Sequence, residues 1–378
     1  MILPGSTLGL LGGGQLGRMF TAAARTMGYD VIVLDPDPLS PAAHFATEHL
    51  CADYHDQSAL EQLAKRCAAV TTEFENPPAD SLAWLAQRIP VRPGASAVAI
   101  AQDRMREKTF FAENGFPVGP FAIIQNQADI KIVGRALQFP AILKTARFGY
   151  DGKGQARVAG VEAARESFQV WRGVPCVLEQ LLPLKLEVSV VTARGEDGAI
   201  ATFPAAENRH ENGILDISIA PARISAQLAA QAQDIAERLA AKLDYCGVLA
   251  VEFFVIESED GKEQLLINEI APRPHNSGHY TIDACRTSQF EQQVRALCGL
   301  PLGPTTQHTT AVMVNLLGDV WKNNVLESDK ILQDPNVKLH LYGKREARVG
   351  RKMGHYTVLS PDVDSALESV QKIRRILV

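Results

Sequence analysis

The stretch Leu266–His279 reads LINEIAPRPHNSGH, an apolar strand pattern that two polar residues interrupt and a proline-rich loop follows. Asn268 and Glu269 are the polar residues, and Glu252 interrupts a second apolar run, Val251–Phe254, in the same way. A carboxylate buried in a sheet without a partner is costly, so a cation must compensate each acid. Two carboxylates and an amide oxygen on neighbouring strands are hard ligands that suit Mg²⁺ bridging phosphates, and salt bridges inside the core are the alternative.

The loop after this strand carries a second group of polar residues. Two prolines rigidify Ala271–His279, which presents Arg273, His275 and Asn276 together. A rigid polar loop directly after a predicted metal-binding strand is typical of the floor of a site. The basic segment Lys344–Lys352 is either a solvated surface run or a clamp for a second phosphate.

A lysine and a glycine-rich loop precede these strands in the chain. Lys144 ends the apolar run Ala141–Lys144, and the loop Phe148–Gln155 contains three glycines and Lys153. Glycines let the backbone approach a polyphosphate closely, and lysines neutralise its charge. The spacing is not that of a P-loop, and a surface hairpin is the simpler alternative.

The first hundred residues alternate strand and helix patterns, with strands predicted at Ser6–Leu11, Asp30–Leu34 and Val70–Thr72, which indicates a parallel sheet. The segment Gly12–Gly17 reads GGGQLG after the first strand, and Asp35 ends the second, so this segment alone allows an NAD site. The backbone N–H groups of such a turn can bind an anion. We therefore expect that the turn binds a phosphate or another polar ligand. The alternative is that its glycines only allow a tight connection between the strand and the helix.

Composition excludes several classes of protein. The chain has 378 residues, 46% of them hydrophobic and 21% charged, which excludes wholesale disorder and predicts two or three domains. A net charge of −5 excludes a sequence-independent nucleic-acid binder. We expect neither a membrane span nor a signal peptide. Six scattered cysteines without a C-x-x-C pair suit neither a zinc site nor a disulfide framework, and they fit a reducing cytosol.

Four segments together carry a resemblance to a known family: Gly14–Met19, Gly149–Gln155, Asn268–His279 and Gly350–His355. They resemble the ATP-grasp superfamily and, within it, the family of N5-carboxyaminoimidazole ribonucleotide synthetases. The fold class is accordingly α/β and α+β. The resemblance implies an N-terminal Rossmann-like, parallel-sheet pre-ATP-grasp domain (1–100) and a small ATP-grasp subdomain with a glycine-rich lid (101–185). It also implies a large ATP-grasp subdomain with the metal site (186–300) and a small C-terminal region packing on it (301–378).

The resemblance implies an ATP-dependent ligase of purine biosynthesis. Such an enzyme uses bicarbonate to carboxylate the exocyclic amine of 5-aminoimidazole ribonucleotide, and it releases ADP and phosphate. Bicarbonate would attack the ATP γ-phosphate to give carboxyphosphate, and a closed pocket would protect that intermediate from water. The resemblance further implies Mg²⁺, with Mn²⁺ as an alternative, a cytoplasmic homodimer, and no nucleic-acid or membrane partner.

The family's site residues map onto this chain as follows. The ATP site falls on Arg104, Lys144, Gly149, Tyr150, Asp151, Gly152, Lys153, Gly154, Gln155, Glu179, Gln180, Leu181, Leu182, Glu187, His210, Asn268 and Glu269. The ribonucleotide site falls on Gln15, Leu16, Glu73, Tyr150, Asp151, Arg273, His275, Asn276, Lys344 and Arg351, with the last two on its phosphate. The metal ligands are Glu252 and Glu269, and the catalytic residues are Lys144, Lys153 and Arg273. Glu187 would bind the ATP ribose and the backbone of residues 179–182 would bind adenine, whereas the resemblance assigns Asp35 no role.

Three alternatives remain. The first is a related ATP-grasp ligase such as the formate-dependent glycinamide ribonucleotide transformylase, against which Asn276 and the segment Arg351–His355 count. The second is an NAD-dependent dehydrogenase, which thermal protection by NAD rather than ATP would reveal. The third is an inactive nucleotide-binding regulator, against which the intact set of Lys144, Glu252 and Glu269 argues.

Overall fold

The computed structural model of the chain describes residues 1–133, 137–149, 153–258, 261–322 and 325–377. Within those ranges the strands form one parallel and two antiparallel sheets. The helices are α1 (Gln15–Thr26), α2 (Gln57–Arg66), α3 (Ala79–Ala86), α4 (Ala95–Ala101), α5 (Arg104–Glu113), α6 (Gln127–Val133), α7 (Val161–Val170), α8 (Ala226–Lys242), α9 (Thr281–Ala284), α10 (Gln289–Cys298), α11 (Ser328–Ile331) and α12 (Val363–Leu377). No helix in the described part of the chain is both long and apolar enough to cross a bilayer.

The N-terminal sheet is parallel, as the alternation of strands and helices predicts. Its strands have the order β3-β2-β1-β4 and are β1 (Thr7–Leu11), β2 (Asp30–Leu34), β3 (Glu48–Leu50) and β4 (Ala69–Thr72). Leu10 and Val33 belong to one buried cluster, whereas Leu11 and Leu34 belong to another. Both faces of the sheet are therefore covered, which explains why its strands read as continuous apolar runs.

A small antiparallel sheet follows, with the order β5-β8-β6-β7. Its strands are β5 (Phe121–Ile124), β6 (Ala141–Thr145), β7 (Gln155–Val158) and β8 (Cys176–Gln180). Leu143 and Leu178 are fully buried against Phe168 of α7. This packing leaves Lys144 and Glu179, the adjacent residues on those two strands, on the other face of the sheet.

The large antiparallel sheet has the order β14-β13-β9-β11-β12-β15-β17-β16, with β10 paired to β9. Its strands are β9 (Leu184–Arg194), β10 (Ile200–Thr202), β11 (Ala206–Glu211), β12 (Ile214–Ala220), β13 (Gly247–Glu257), β14 (Glu263–Ala271), β15 (Thr310–Leu317), β16 (Val337–Leu341) and β17 (Lys352–Ser360). β9 and β10 form an antiparallel hairpin, and β13 pairs antiparallel with β14. The C-terminal strands extend this sheet, because β15 pairs directly with β12.

Candidate active site

A cavity of about 1070 Å³ is lined by strands of the two antiparallel sheets and the loops beside them, and by the start of α1 and the loop after β4 of the N-terminal domain. It brings together most of the predicted site residues, namely Gln15, Leu16, Arg104, Lys144, Gly149, Lys153, Gly154, Gln155, Glu179, Gln180, Leu181, Leu182, Glu187, His210, Glu252, Asn268, Glu269, Arg273, His275, Asn276, Lys344 and Arg351. Glu73 is not among the lining residues. Tyr150, Asp151 and Gly152 lie outside the described residues.

The two predicted metal ligands face each other across adjacent strands. Glu252 of β13 is paired with Glu269 of β14, and Phe253 is paired with Ile267, so Asn268 is the extra residue of a β-bulge. Directly opposed residues project from the same face of a sheet, which brings the two carboxylates together. The Oδ1 atom of Asn268 is buried without a hydrogen-bond partner among the described residues. Three hard oxygen donors are therefore grouped at this bulge.

Each of these acids also has a protein partner. Arg104 Nη1 donates to Glu269 Oε2 at 2.6 Å, and His275 Nε2 lies 2.9 Å from Glu252 Oε1. Burial raises the pKa of Glu269, but the positive charges of Arg104 and Lys144 outweigh it and bring the pKa down to about 2. Glu269 is thus ionised at neutral pH and able to bind a cation.

A second group of possible ligands lies beside Glu252. Glu187 of β9, His210 of β11 and Glu252 offer ligand atoms within 4.8 Å of one another. His210 Nδ1 lies 3.0 Å from Glu187 Oε2. Burial lowers the pKa of His210, but the hydrogen bond and charge of Glu187 reverse the effect, so the pKa lies above its usual value. The family resemblance predicts Glu187 and His210 in the nucleotide site, but it did not indicate that they adjoin a metal ligand.

Positive charge is concentrated around Glu179 of β8. Lys144 Nζ and Lys108 Nζ lie 3.1 and 3.4 Å from Glu179 Oε2. Burial raises the pKa of Glu179, but the charges of the two ammonium groups lower it by more, so its pKa lies below the usual value. Lys108 was not predicted, because nothing in its helical sequence distinguishes it from a surface lysine.

Two backbone N–H groups of the predicted adenine-binding segment, residues 179–182, already donate hydrogen bonds within the chain. The N–H groups of Gln180 and Leu181 donate to the carbonyl oxygens of Pro120 and Pro140, each at 3.0 Å. These two donors are therefore engaged within the chain. Any adenine contact by this segment uses its other backbone groups.

The described part of the glycine-rich loop, residues 148–149 and 153–155, lies beside the end of β6. Thr145 N–H donates to Gly154 O at 2.8 Å, and Gly154 has φ of +70°. A Cβ at Gly154 would come within 2.6 Å of Thr145 Oγ1, so glycine is required here for both conformation and space. Gly149, Lys153 and Gly154 of this loop line the cavity.

The loop Ala271–His279 is held by residues that the sequence analysis did not identify. Arg273 forms an ion pair with Glu75, and burial lowers the pKa of Arg273 to about 10. Asn276 and Asn315 exchange amide hydrogen bonds at 2.7 and 3.0 Å. Glu75 follows the carboxyl end of β4, a position where polar residues commonly serve a site, and that signal could have identified it.

The basic C-terminal segment reaches the N-terminal turn. Lys344 Nζ donates to Gln15 Oε1 at 2.6 Å and to Lys352 O at 2.7 Å. Arg351 Nη1 donates to Glu346 O at 3.0 Å. Lys344 and Arg351 both line the cavity, so the segment is not simply a solvated run.

The turn N–H groups that were expected to bind an anion donate instead to the chain's own carboxylates, whereas Gln15 and Leu16 of the same turn line the cavity. Glu73 accepts from the N–H groups of Gly14 and Gly17, both at 2.9 Å. Asp35 Oδ2 accepts from Gly13 N–H at 2.6 Å. These contacts give Asp35 a role in holding the turn, direct Glu73 to the turn instead of the cavity, and leave none of the three N–H groups for a dinucleotide.

Three family models match successive parts of the chain. They are the ribonucleotide synthetase preATP-grasp domain (residues 5–102), the ATP-grasp domain (109–290) and the phosphoribosylaminoimidazole carboxylase C-terminal domain (311–369). The predicted combination of a parallel-sheet N-terminal domain, an ATP-grasp fold and a C-terminal domain is thereby confirmed.

Individual relatives match over nearly their whole length. The chain is 43% identical over 370 residues to the N5-carboxyaminoimidazole ribonucleotide synthase of Bacillus subtilis, covering 98% of this chain and 96% of the relative. It is similar to the Staphylococcus aureus N5-carboxyaminoimidazole synthetase solved with ADP (TM-score 0.91, 39% identity, 98% of each chain). It is also similar to the Aspergillus clavatus synthase solved with ADP and 5-aminoimidazole ribonucleotide (TM-score 0.90, 31% identity, 98% of each chain).

Proposed function

This chain belongs to the N5-carboxyaminoimidazole ribonucleotide synthase family of ATP-grasp ligases, and we propose from this premise that it carboxylates 5-aminoimidazole ribonucleotide with ATP and bicarbonate. The products are N5-carboxyaminoimidazole ribonucleotide, ADP and phosphate. The main support is that the ATP-site residues and the basic segment assigned to the second substrate line the same cavity. Relatives crystallised with ADP favour this function over a dehydrogenase.

At the nucleotide end, Lys144, Arg104 and the backbone of Gly149–Gln155 bind the triphosphate. The backbone around residues 179–182 contacts adenine, and Glu187, held by His210, receives the ribose hydroxyls. The concentration of positive charge near Glu179 supports this assignment, since a triphosphate needs several cations.

We propose that Glu252, Glu269 and Asn268 Oδ1 hold Mg²⁺, for which Mn²⁺ could substitute. The unpartnered Asn268 oxygen beside two opposed carboxylates fits a hard divalent cation. When bound, such an ion neutralises phosphate charge and aligns the β- and γ-phosphates. Arg104 and His275, which now contact the two acids, would turn towards phosphate or substrate oxygens.

The protein's part in the chemistry is positioning and charge neutralisation. A bicarbonate oxygen attacks the γ-phosphorus, the bond to ADP breaks, and carboxyphosphate forms. Lys144 stabilises the charge on the transferred phosphoryl group, Lys153 on the loop closes over it, and Arg273 orients bicarbonate. The amine then attacks carboxyphosphate or the CO2 that it releases, in a site from which the loop excludes water.

For the ribonucleotide, Lys344 and Arg351 supply charge-assisted hydrogen bonds to the 5′-phosphate. Gln15, Leu16, His275 and Asn276 surround the remainder of the molecule. The hydrogen bond between Lys344 and Gln15 supports this arrangement, because it places the basic segment beside the N-terminal turn.

The family resemblance also supports a homodimer in the cytoplasm. The six cysteines form no disulfides, which suits a reducing compartment. Sedimentation of the purified protein at several concentrations would test the dimer.

Isotopic labelling tests the reaction directly. With ATP, Mg²⁺, 5-aminoimidazole ribonucleotide and ¹³C-bicarbonate, we expect a ribonucleotide product that carries one ¹³C-carboxyl group. Formate with glycinamide ribonucleotide serves as the competing substrate pair, and a formylated product from that pair would favour the transformylase instead. Thermal protection by NAD but not by ATP would reject both ligase functions.

A further inference from the structure

We propose that Lys108 is a positioning residue that fixes the two antiparallel sheets of the nucleotide site relative to each other. Its side chain is only 2% exposed, and it does not line the cavity. The inference rests on the proposed function, because it concerns how the ATP site is held together. It assigns a role in nucleotide affinity to a residue that does not contact the nucleotide.

One face of helix α5 contacts β14, the strand that carries the proposed metal ligand Glu269. Arg104, Glu107 and Lys108 stand at positions i, i+3 and i+4 and therefore project from the same side of the helix. Glu107 Oε1 accepts from Ile270 N–H at 2.8 Å, and Lys108 Nζ donates to Asn268 O at 2.7 Å. Together with the Arg104–Glu269 bond, these contacts engage three consecutive residues of β14 at its bulge.

The same ammonium group reaches the other sheet. Lys108 Nζ lies 3.4 Å from Glu179 Oε2 on β8, where Lys144 is the second cationic partner. One buried charge therefore connects β8 of the small sheet to β14 of the large sheet. The two sheets contribute opposite ends of the nucleotide site, namely the adenine-binding segment and the metal-binding bulge.

The backbone that follows α5 also connects the small sheet to the large sheet. Pro117 O accepts from Ile267 N–H at 2.7 Å, and Pro120 O accepts from Gln180 N–H at 3.0 Å. These two bonds join the same pair of strands that Lys108 joins. The backbone connection sets the approximate spacing of the sheets, and the Lys108 side chain sets the register of the bulge against Glu179.

Loss of Lys108 has a specific consequence for the substrates. Methionine would fill most of the volume, but the Asn268 carbonyl would lose its donor and Glu179 would be left with Lys144 alone. Loss of a hydrogen bond to a charged group lowers affinity by at most about ten- to a hundred-fold, the limit reached when the whole cost falls on the nucleotide complex, so we expect ADP and ATP affinity to fall by up to that factor. The KM for 5-aminoimidazole ribonucleotide should be unchanged, because its assigned residues lie on other elements.

The experiment compares Lys108→Met with two controls. Phe111→Ala removes a fully buried side chain from the same helix, and Lys131→Met removes an exposed lysine. ADP binding is measured by calorimetry and both KM values are measured below the lowest unfolding temperature. We expect weaker ADP binding and a raised ATP KM only in Lys108→Met. Equal ADP affinity in Lys108→Met and the wild type, or the same change in Phe111→Ala, would overturn the inference.

A second pair of variants covers the case in which Lys108→Met does not fold. Lys108→Met/Glu179→Gln removes both charges of the pair and is compared with Glu179→Gln alone. The positioning role predicts that the double variant folds and binds ADP more weakly than Glu179→Gln. Equal ADP affinity in these two variants would mean that Lys108 only compensates charge. Wild-type protein that binds no adenine nucleotide would instead overturn the proposed function itself.

Discussion

Replacement of Glu269 by glutamine tests the metal assignment with minimal change of shape. The acid faces Glu252 across β13 and β14 and accepts a 2.6 Å hydrogen bond from Arg104. A glutamine oxygen still accepts from Arg104, so the stability loss should not exceed the 1.5–3 kcal/mol that is roughly the value of a hydrogen bond to a charged group. That loss is smaller than a typical folding free energy of about 5–15 kcal/mol, and the variant should remain folded.

Turnover should respond far more strongly than stability. Removing one group that stabilises transition-state charge typically costs about 10²–10³ in kcat, and an amide cannot replace the carboxylate charge at a divalent cation. We therefore expect kcat to fall at least about a hundred-fold and the Mg²⁺ concentration for half-maximal activity to rise.

Steady-state kinetics over a Mg²⁺ titration, together with thermal unfolding, provide the assay. Glu263→Gln is the matched control, because Glu263 lies on the same strand, pairs with Lys185 and does not line the cavity. The control should retain normal turnover. Near-normal kcat and Mg²⁺ dependence in Glu269→Gln would refute the metal assignment.

Three further predictions concern the loop, the second substrate and pH. Gly154→Ala, which forces a Cβ towards Thr145 Oγ1, should weaken ATP binding and raise the ATP consumed per product; unchanged affinity and coupling would reduce the loop to a surface hairpin. Arg351→Ala should raise the ribonucleotide KM about ten- to a hundred-fold and leave the ATP KM unchanged; equal effects on both would indicate a fold defect. Burial holds the pKa of His355 well below its usual value, so below about pH 6.5 the unfolded chain binds a proton there that the folded chain does not. Urea unfolding should therefore show that acidification from pH 7.5 to 5.5 destabilises the wild type about 1 kcal/mol more than His355→Leu, and equal losses would contradict this.

Local patterns were sufficient to predict much of the fold. The apolar runs of β1, β2 and β4 predicted the parallel sheet because each strand is buried on both faces. The hairpin of β11 and β12 was not predicted, since the segment Ala206–Glu211 is mostly polar and half-exposed. Strand β17 was also missed, because its basic beginning hides the apolar run that follows.

Site residues could be predicted from the sequence where a charged residue interrupts an apolar strand. Glu252 and Glu269 stand out because acids interrupt apolar strands, and the structure sets them opposite each other. Lys108 could not be found in this way, because a lysine in a helix gives no sign of burial. The hydrogen bonds from the N-terminal turn to Asp35 and Glu73 could not be predicted either, since these two residues reach the turn only through tertiary contacts.

The carboxylase activity is tested most directly by the dependence of ADP release on 5-aminoimidazole ribonucleotide. Purified protein is supplied with ATP, Mg²⁺ and bicarbonate, and both ADP and the remaining ribonucleotide are measured over time. We expect ADP release to require the ribonucleotide and one ribonucleotide to be consumed per ADP formed. ADP release that is the same without the ribonucleotide, while the ribonucleotide remains unconsumed, would contradict this expectation.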